Sequence, residues 1–165
     1  MKVSDIPDLR DRIKKGAIWE GYVAASLAFA GFKVVMEPKR VREDAECPYL
    51  FEDTIDLMVQ GIKVQVKSRS IQFNKVADFP FNSILICRYD GKEIPTTAYI
   101  MVSQVTGGMI ASLPDSKRFI GTQEDKVRGY SYKAVYAKKE SFVDFATLCS
   151  WLEETILHGA VSQTV

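Results

Sequence analysis

The sequence predicts an α/β domain in which a central sheet lies between an N-terminal and a C-terminal helix. Three observations predict it. The first segment repeats apolar residues at helical spacing, the middle is a succession of short β-branched runs, and the last segment returns to helical spacing. The 165 residues contain no internal repeat and no Pro/Gly/Ser-rich linker, so residues 1–165 read as a single domain.

Residues 9–30 form the opening helix, because Leu9, Ile13, Ala17, Trp19, Glu20, Val23 and Leu27 recur on one side and Gly31 follows as a stop. Residues 32–36 are a short strand closed by Pro38, and an acidic loop follows. Residues 55–59 and 62–68 are strands separated only by Gln60-Gly61, the length of a two-residue hairpin. That turn fixes the register. Val59 should face Ile62, Leu57 should face Val64 and Ile55 should face Val66, which makes one apolar face. The other face then carries Thr54, Asp56 and Met58 against Lys63, Gln65 and Lys67, with Asp56 directly opposite Gln65. Further strands are expected at 83–88 (SILICR), 97–103 (TAYIMVS), 109–113 and 131–137 (SYKAVYA), with Gly107-Gly108 as a hairpin turn. No GK[ST] follows these glycines, which excludes a phosphate-binding P-loop. Ser141 is the expected N-cap of a closing helix patterned by Phe142, Phe145, Leu148, Leu152 and Ile156. Trp19 and Trp151 lie in the two terminal helices as core or interface aromatics.

Composition narrows the function classes. With 22 Lys+Arg against 21 Asp+Glu the net charge is +1, so only the placement of charge can indicate a partner. The three cysteines are far apart and form no CxxC pair, which argues against a disulfide framework and a cysteine zinc site and fits a reducing cytoplasm. The first residues lack a signal-peptide pattern, and no apolar run reaches the roughly 18 residues of a membrane span, so a cytoplasmic protein without membrane association is expected. A single histidine, His158, excludes chemistry that needs two.

The chemistry-bearing constellation is therefore the polar face of the hairpin. Asp56 offers hard carboxylate oxygen, Gln65 a neutral amide oxygen, and Lys67 a cation two residues further along the same face. Oxygen donors of this kind suit Mg²⁺ or Mn²⁺, and a neighbouring lysine can polarise water or neutralise charge on a phosphodiester. Glu20 has only small or apolar neighbours at helical spacing, namely Gly16, Ala17, Val23 and Ala24, which places it on or beside the inward side of its helix. Spacing alone is equally compatible with a solvated hairpin face and a helix-edge glutamate.

Asp56, eight residues, then Gln65-Val66-Lys67 on adjacent strands behind a helix bearing Glu20 resembles the PD-(D/E)XK nuclease superfamily, the restriction-endonuclease-like fold with its central mixed sheet. The resemblance covers about residues 10–70 and implies that Asp56, Gln65 and Glu20 bind the divalent metal while Lys67 assists water activation. Two positions depart from the pattern. Ile55 stands where the motif has proline, and Gln65 replaces the second acid, which removes one negative charge from the metal site. A QxK form occurs in some branches of the superfamily, including certain homing endonucleases of phages and introns.

Charge is segregated along the chain. Residues 37–56 hold seven acids, whereas residues 115–139 hold seven bases. The candidate DNA-binding residues are Lys117, Arg118, Lys126, Arg128 and Lys133, interleaved with Tyr130 and Tyr132, together with Arg69 and Lys75 beyond the QxK strand. The resemblance thus implies a Mg²⁺-dependent endonuclease acting on double-stranded or branched DNA, of homing type or else a Holliday junction resolvase, and working as a dimer or larger oligomer. A catalytically silent nuclease-like domain that binds DNA or protein is the reading from another class.

Overall fold

A computed structural model of the chain describes residues 9–37, 56–125 and 129–162. It is an α/β arrangement of two helices and two sheets, in which most strand pairs are antiparallel.

Helix α1 (Leu9–Phe29) ends where the Phe32 amide donates to the Leu27 carbonyl and Gly31 turns the chain at a φ of 100°. Strands β1 (Val34–Met36), β2 (Leu57–Val59) and β3 (Ile62–Arg69) form an antiparallel meander. The β2–β3 turn has the expected chemistry: Gln60 and Gly61 both adopt positive φ, 47° and 90°, as a type I′ turn requires. The register also follows, with Leu57 opposite Val64 and Val59 opposite Ile62. Ile55 and Thr54 lie outside the described residues.

The chain then crosses over. β4 (Ser83–Arg88) joins a second sheet before β5 (Ala98–Ser103) returns to pair with β3 in parallel, which makes the main sheet mixed. β6 (Met109–Ser112) turns back on β5 through Gly107-Gly108. β7 (Arg118–Asp125) and β8 (Tyr130–Lys138) form a long hairpin against β4, and β9 (Phe142–Asp144) leads into α2 (Phe145–Ser162). The six-stranded sheet runs β1-β2-β3-β5-β6-β9 and the three-stranded sheet β4-β8-β7.

Both helices cover the same face of the six-stranded sheet, rather than one on each side. Val23 and Leu27 of α1 and Leu148 and Leu152 of α2 share one core with Leu57, Val64, Val66, Ile100 and Val102. The opposite face is covered by the three-stranded sheet and the 71–79 segment, through Phe73, Phe79, Ile84, Ile86, Val135 and Ala137 against Tyr99 and Met101. Being covered on both sides, all six residues of β5 are buried, which is why its sequence reads as a continuous apolar run.

Two expectations change at the C-terminal end. The helix begins at Phe145, because residues 142–144 pair with β6 as β9, and the Ser141 hydroxyl donates to the Lys138 carbonyl at 2.7 Å instead of capping a helix. β7 was not anticipated; its residues, RFIGTQED, are mostly polar and carry no clean apolar alternation. Among the described residues no helix is long and apolar enough to cross a membrane.

Candidate active site

The site is set by the two-residue period of β3. Val64 and Val66 point into the helix-side core, so Gln65 and Lys67 face the other way, toward the side on which β5 presents Tyr99 and Met101. Gln65 is the register partner of Tyr99 and Lys67 of Met101. Both β3 side chains are half-buried and Lys63 nearer the turn is exposed.

Asp56 sits where the hairpin ladder breaks. In an uninterrupted ladder it would lie opposite Gln65, but β2 ends at Leu57, and the Asp56 amide donates to the Val64 carbonyl at 3.2 Å. The Val66 amide then donates to Asp56 Oδ2 at 2.7 Å, so a side-chain oxygen takes the place of a backbone acceptor. The carboxylate is only 6% exposed. A buried acid held by a main-chain donor is fixed in position, and a carboxylate has about four lone-pair sites, of which this bond uses one.

The polar neighbours of this pair converge on Tyr99. Its hydroxyl donates to the Cys87 sulfur, and burial above all, then the Cys87 thiol, pushes its pKa well above the ordinary 10.0; the Arg118 guanidinium opposes this and the Asp56 carboxylate adds to it. Burial likewise raises the Cys87 thiol above 9.0, against the bond from Tyr99 and the cations Lys67 and Arg118. Asp56, Lys67, Tyr99, Cys87 and Arg118 thus form one electrostatic neighbourhood on one side of the sheet. Tyr99 and Cys87 were not among the residues singled out from sequence. Only the parallel β3–β5 register and the β4 crossover bring them there, and neither has a local sequence signal.

Glu20 is 4% exposed and lies on α1, which packs against β3 and β1 from the helix side. Sequence reasoning placed it facing inward, and it does face inward, but α1 covers the face opposite to the one carrying Gln65 and Lys67. Among the described residues no three His, Cys, Asp or Glu side chains gather as a metal-holding group. The oxygen donors on this side are the buried Asp56 carboxylate and the Gln65 amide on the neighbouring strand, whereas Glu20 lies on the helix side. Both are hard oxygen ligands, a chemistry that fits Mg²⁺ or Mn²⁺ and disfavours softer ions.

The basic residues separate into three groups. Lys75, Lys117 and Lys133 are exposed, and Lys133 Nζ donates to Thr122 Oγ1 at 3.3 Å. Arg69 is half-buried, and burial lowers its pKa with the Tyr132 hydroxyl opposing. Arg118 is turned inward. Its guanidinium donates to the carbonyls of Pro95, Thr97, Ser112 and Leu113, including Thr97 at 2.7 Å, and lies 5.2 Å from the centroid of the Tyr99 ring. That cation ties β7 to the main sheet and is not part of an outer basic surface. Lys126 and Arg128 lie outside the described residues.

No protein-family model, curated protein or solved structure matches the chain.

Proposed function

We propose that the protein is a metal-dependent DNA endonuclease, of target-specific homing type. The observation that carries the reading is the position of Asp56, a buried carboxylate fixed by the Val66 amide where the hairpin ladder breaks, beside the strand that presents Gln65 and Lys67.

In this reading Asp56 and Gln65 would hold Mg²⁺ or Mn²⁺, which would polarise a phosphodiester oxygen when bound, and Glu20, on the helix side of the sheet, is not one of the ligands. Lys67 lies on the same face as Gln65 and offsets negative charge that builds on the phosphate oxygens as water attacks. The half-buried setting of Lys67 strengthens that interaction relative to bulk water. Tyr99 stays protonated through the neutral range, and its one hydroxyl proton is engaged by the Cys87 sulfur, so it borders the site without donating to a phosphate. The amide at Gln65 supports a weaker ion affinity than an acid would, because it brings no charge. Cutting both strands of a duplex takes two such sites, so the working enzyme is at least a dimer.

The test is cleavage of supercoiled, linear and four-way-junction DNA in Mg²⁺, Mn²⁺ or EDTA, beside folded Lys67→Ala and Asp56→Ala proteins. Metal-dependent cutting by the wild type, reduced about 10²–10³-fold by Lys67→Ala, is expected. Preference for the junction would replace the homing reading with a resolvase. DNA binding without cutting of any substrate, including a genomic library, would leave only a silent nuclease-like binding domain.

A further inference from the structure

The face of the three-stranded sheet that points away from the main sheet is a second surface with its own chemistry. Val135, Ala137, Ile84 and Cys87 point inward, so strand alternation directs Tyr130, Tyr132, Tyr136 and Lys138 of β8 outward, with Phe119, Gly121 and Gln123 of β7 and Arg88 of β4 beside them. Phe119 and Tyr136 are cross-strand partners whose rings stack at 5.8 Å and 21°. Tyr130 and Tyr132 form a second ring pair at 6.1 Å.

This row is built to present rings. A Cβ at Gly121 would come within 3.0 Å of the Tyr136 ring, so glycine lets that ring lie flat across β7, where its hydroxyl donates to Gln123 Oε1 at 2.5 Å. The Arg88 guanidinium lies over Tyr132 at 5.3 Å, so a base stacking on that ring face would take its place and turn the cation out toward the phosphates. Phe119 and Tyr130 remain 39% and 37% exposed.

We infer that this face is a stacking platform for single-stranded nucleic acid, with unpaired bases laid on Phe119/Tyr136 and Tyr130/Tyr132 and the phosphates met by Arg88 and Lys138. Rings presented on a sheet face, one pair stacked and the other tilted at 50°, favour bases, since every base has a π-face and stacking needs no particular sequence. The charge matches a polyanion: the outward positions carry Arg88 and Lys138, and among the described residues the only acid is Asp125 at the hairpin tip. From Tyr130 to Lys138 the row extends about 27 Å at strand rise, enough for several nucleotides. The inference adds a ligand class to the proposed nuclease reading but does not depend on it, because stacking requires no metal and none of Asp56, Gln65 or Lys67.

Fluorescence anisotropy in EDTA with a labelled 20-nucleotide oligothymidine and a duplex of equal length tests it. The single strand should bind more tightly than the duplex, and more weakly as salt rises. Tyr130→Ala combined with Tyr132→Ala should weaken single-strand binding about tenfold or more, and Tyr132→Phe by less than about threefold, because the ring is kept. Tyr130→Leu with Tyr132→Leu keeps apolar bulk on the face if the alanine pair fails to fold, and should lose affinity in the same way. Equal or tighter duplex binding, or unchanged affinity in the folded leucine or alanine pair, would overturn the platform. Because metal is absent, a failure to cut DNA in the separate cleavage test leaves this result intact, and the reverse holds as well.

Discussion

The two faces of the six-stranded sheet come from the same strands but carry different chemistry. The helix side is packed with aliphatic side chains from β2, β3, β5, α1 and α2, whereas the side under the three-stranded sheet mixes apolar residues with Gln65, Lys67, Tyr99, Cys87 and Arg118. Among the described residues the helix side is lined by apolar side chains, with Glu20 as its buried acid. On the other side an arginine, a phenol and a carboxylate meet main-chain carbonyls, a thiol and a main-chain amide, and the buried Arg118 Nε has no hydrogen-bond partner among the described residues. Both faces hold fully buried apolar residues, but most of the ionisable groups gather on the side under the three-stranded sheet, and β3 joins the two faces by alternation.

The largest expected effect breaks the comparison on the helix side. Ile100→Ala or Leu148→Ala, both at fully buried positions, should cost about 2–5 kcal/mol by chemical denaturation. Losses below about 1 kcal/mol would mean that the helix side contributes little to stability. Next is Arg118. Removing its guanidinium strands several carbonyls, and Arg118→Met should cost about 2 kcal/mol, with little recovery in Arg118→Lys because one ammonium cannot span them. Unchanged stability with weakened DNA affinity would return Arg118 to an outer basic surface.

A smaller effect sharpens the polar side. Tyr99 has a folded pKa raised above its ordinary 10.0, so the folded state holds its proton where the unfolded chain releases it. Its stabilising contribution is complete below about pH 10 and is lost as pH rises toward the folded value. Melting should therefore fall with alkaline pH, by about 1 kcal/mol near pH 11 from this residue, and Tyr99→Phe should flatten that slope. An identical slope in the variant would place the alkaline loss elsewhere. The smallest effect concerns Cys87. With its thiol raised by burial, alkylation at pH 8 should be slower than for an unstructured cysteine, and equal rates would contradict the buried setting.

The elements legible in the sequence are those with local signals. Gln60-Gly61 announces its turn, and the pairs Leu57–Val64 and Val59–Ile62 follow from it. The parallel β3–β5 pairing was not legible, because the crossover passes through a strand of another sheet and nothing local in SILICR or TAYIMVS says which sheet each joins. Asp56 was legible as the hairpin acid next to the Leu57–Val64 pair, but its bond was not, since strict alternation assumes an unbroken ladder and here a side-chain oxygen accepts from the Val66 amide. Arg118 counted as one base among seven in its stretch, yet its role depends on carbonyls from four other residues meeting at one point, which charge counting cannot detect. For the candidate site, the hairpin residues were legible and their neighbours Tyr99 and Cys87 were not.

The two proposals separate phosphodiester chemistry at Asp56, Gln65 and Lys67 from strand binding on the outward ring row. The most direct measurement takes the wild type, Lys67→Ala and the Tyr130→Ala/Tyr132→Ala pair, and reads plasmid cleavage in Mn²⁺ and oligothymidine affinity in EDTA on each. Lys67→Ala should lose cutting about 10²-fold or more and retain affinity within about threefold, whereas the tyrosine pair should lose affinity about tenfold. Wild-type protein that cuts in EDTA as well as in Mn²⁺, or a Lys67→Ala protein that cuts like wild type, would contradict this assignment.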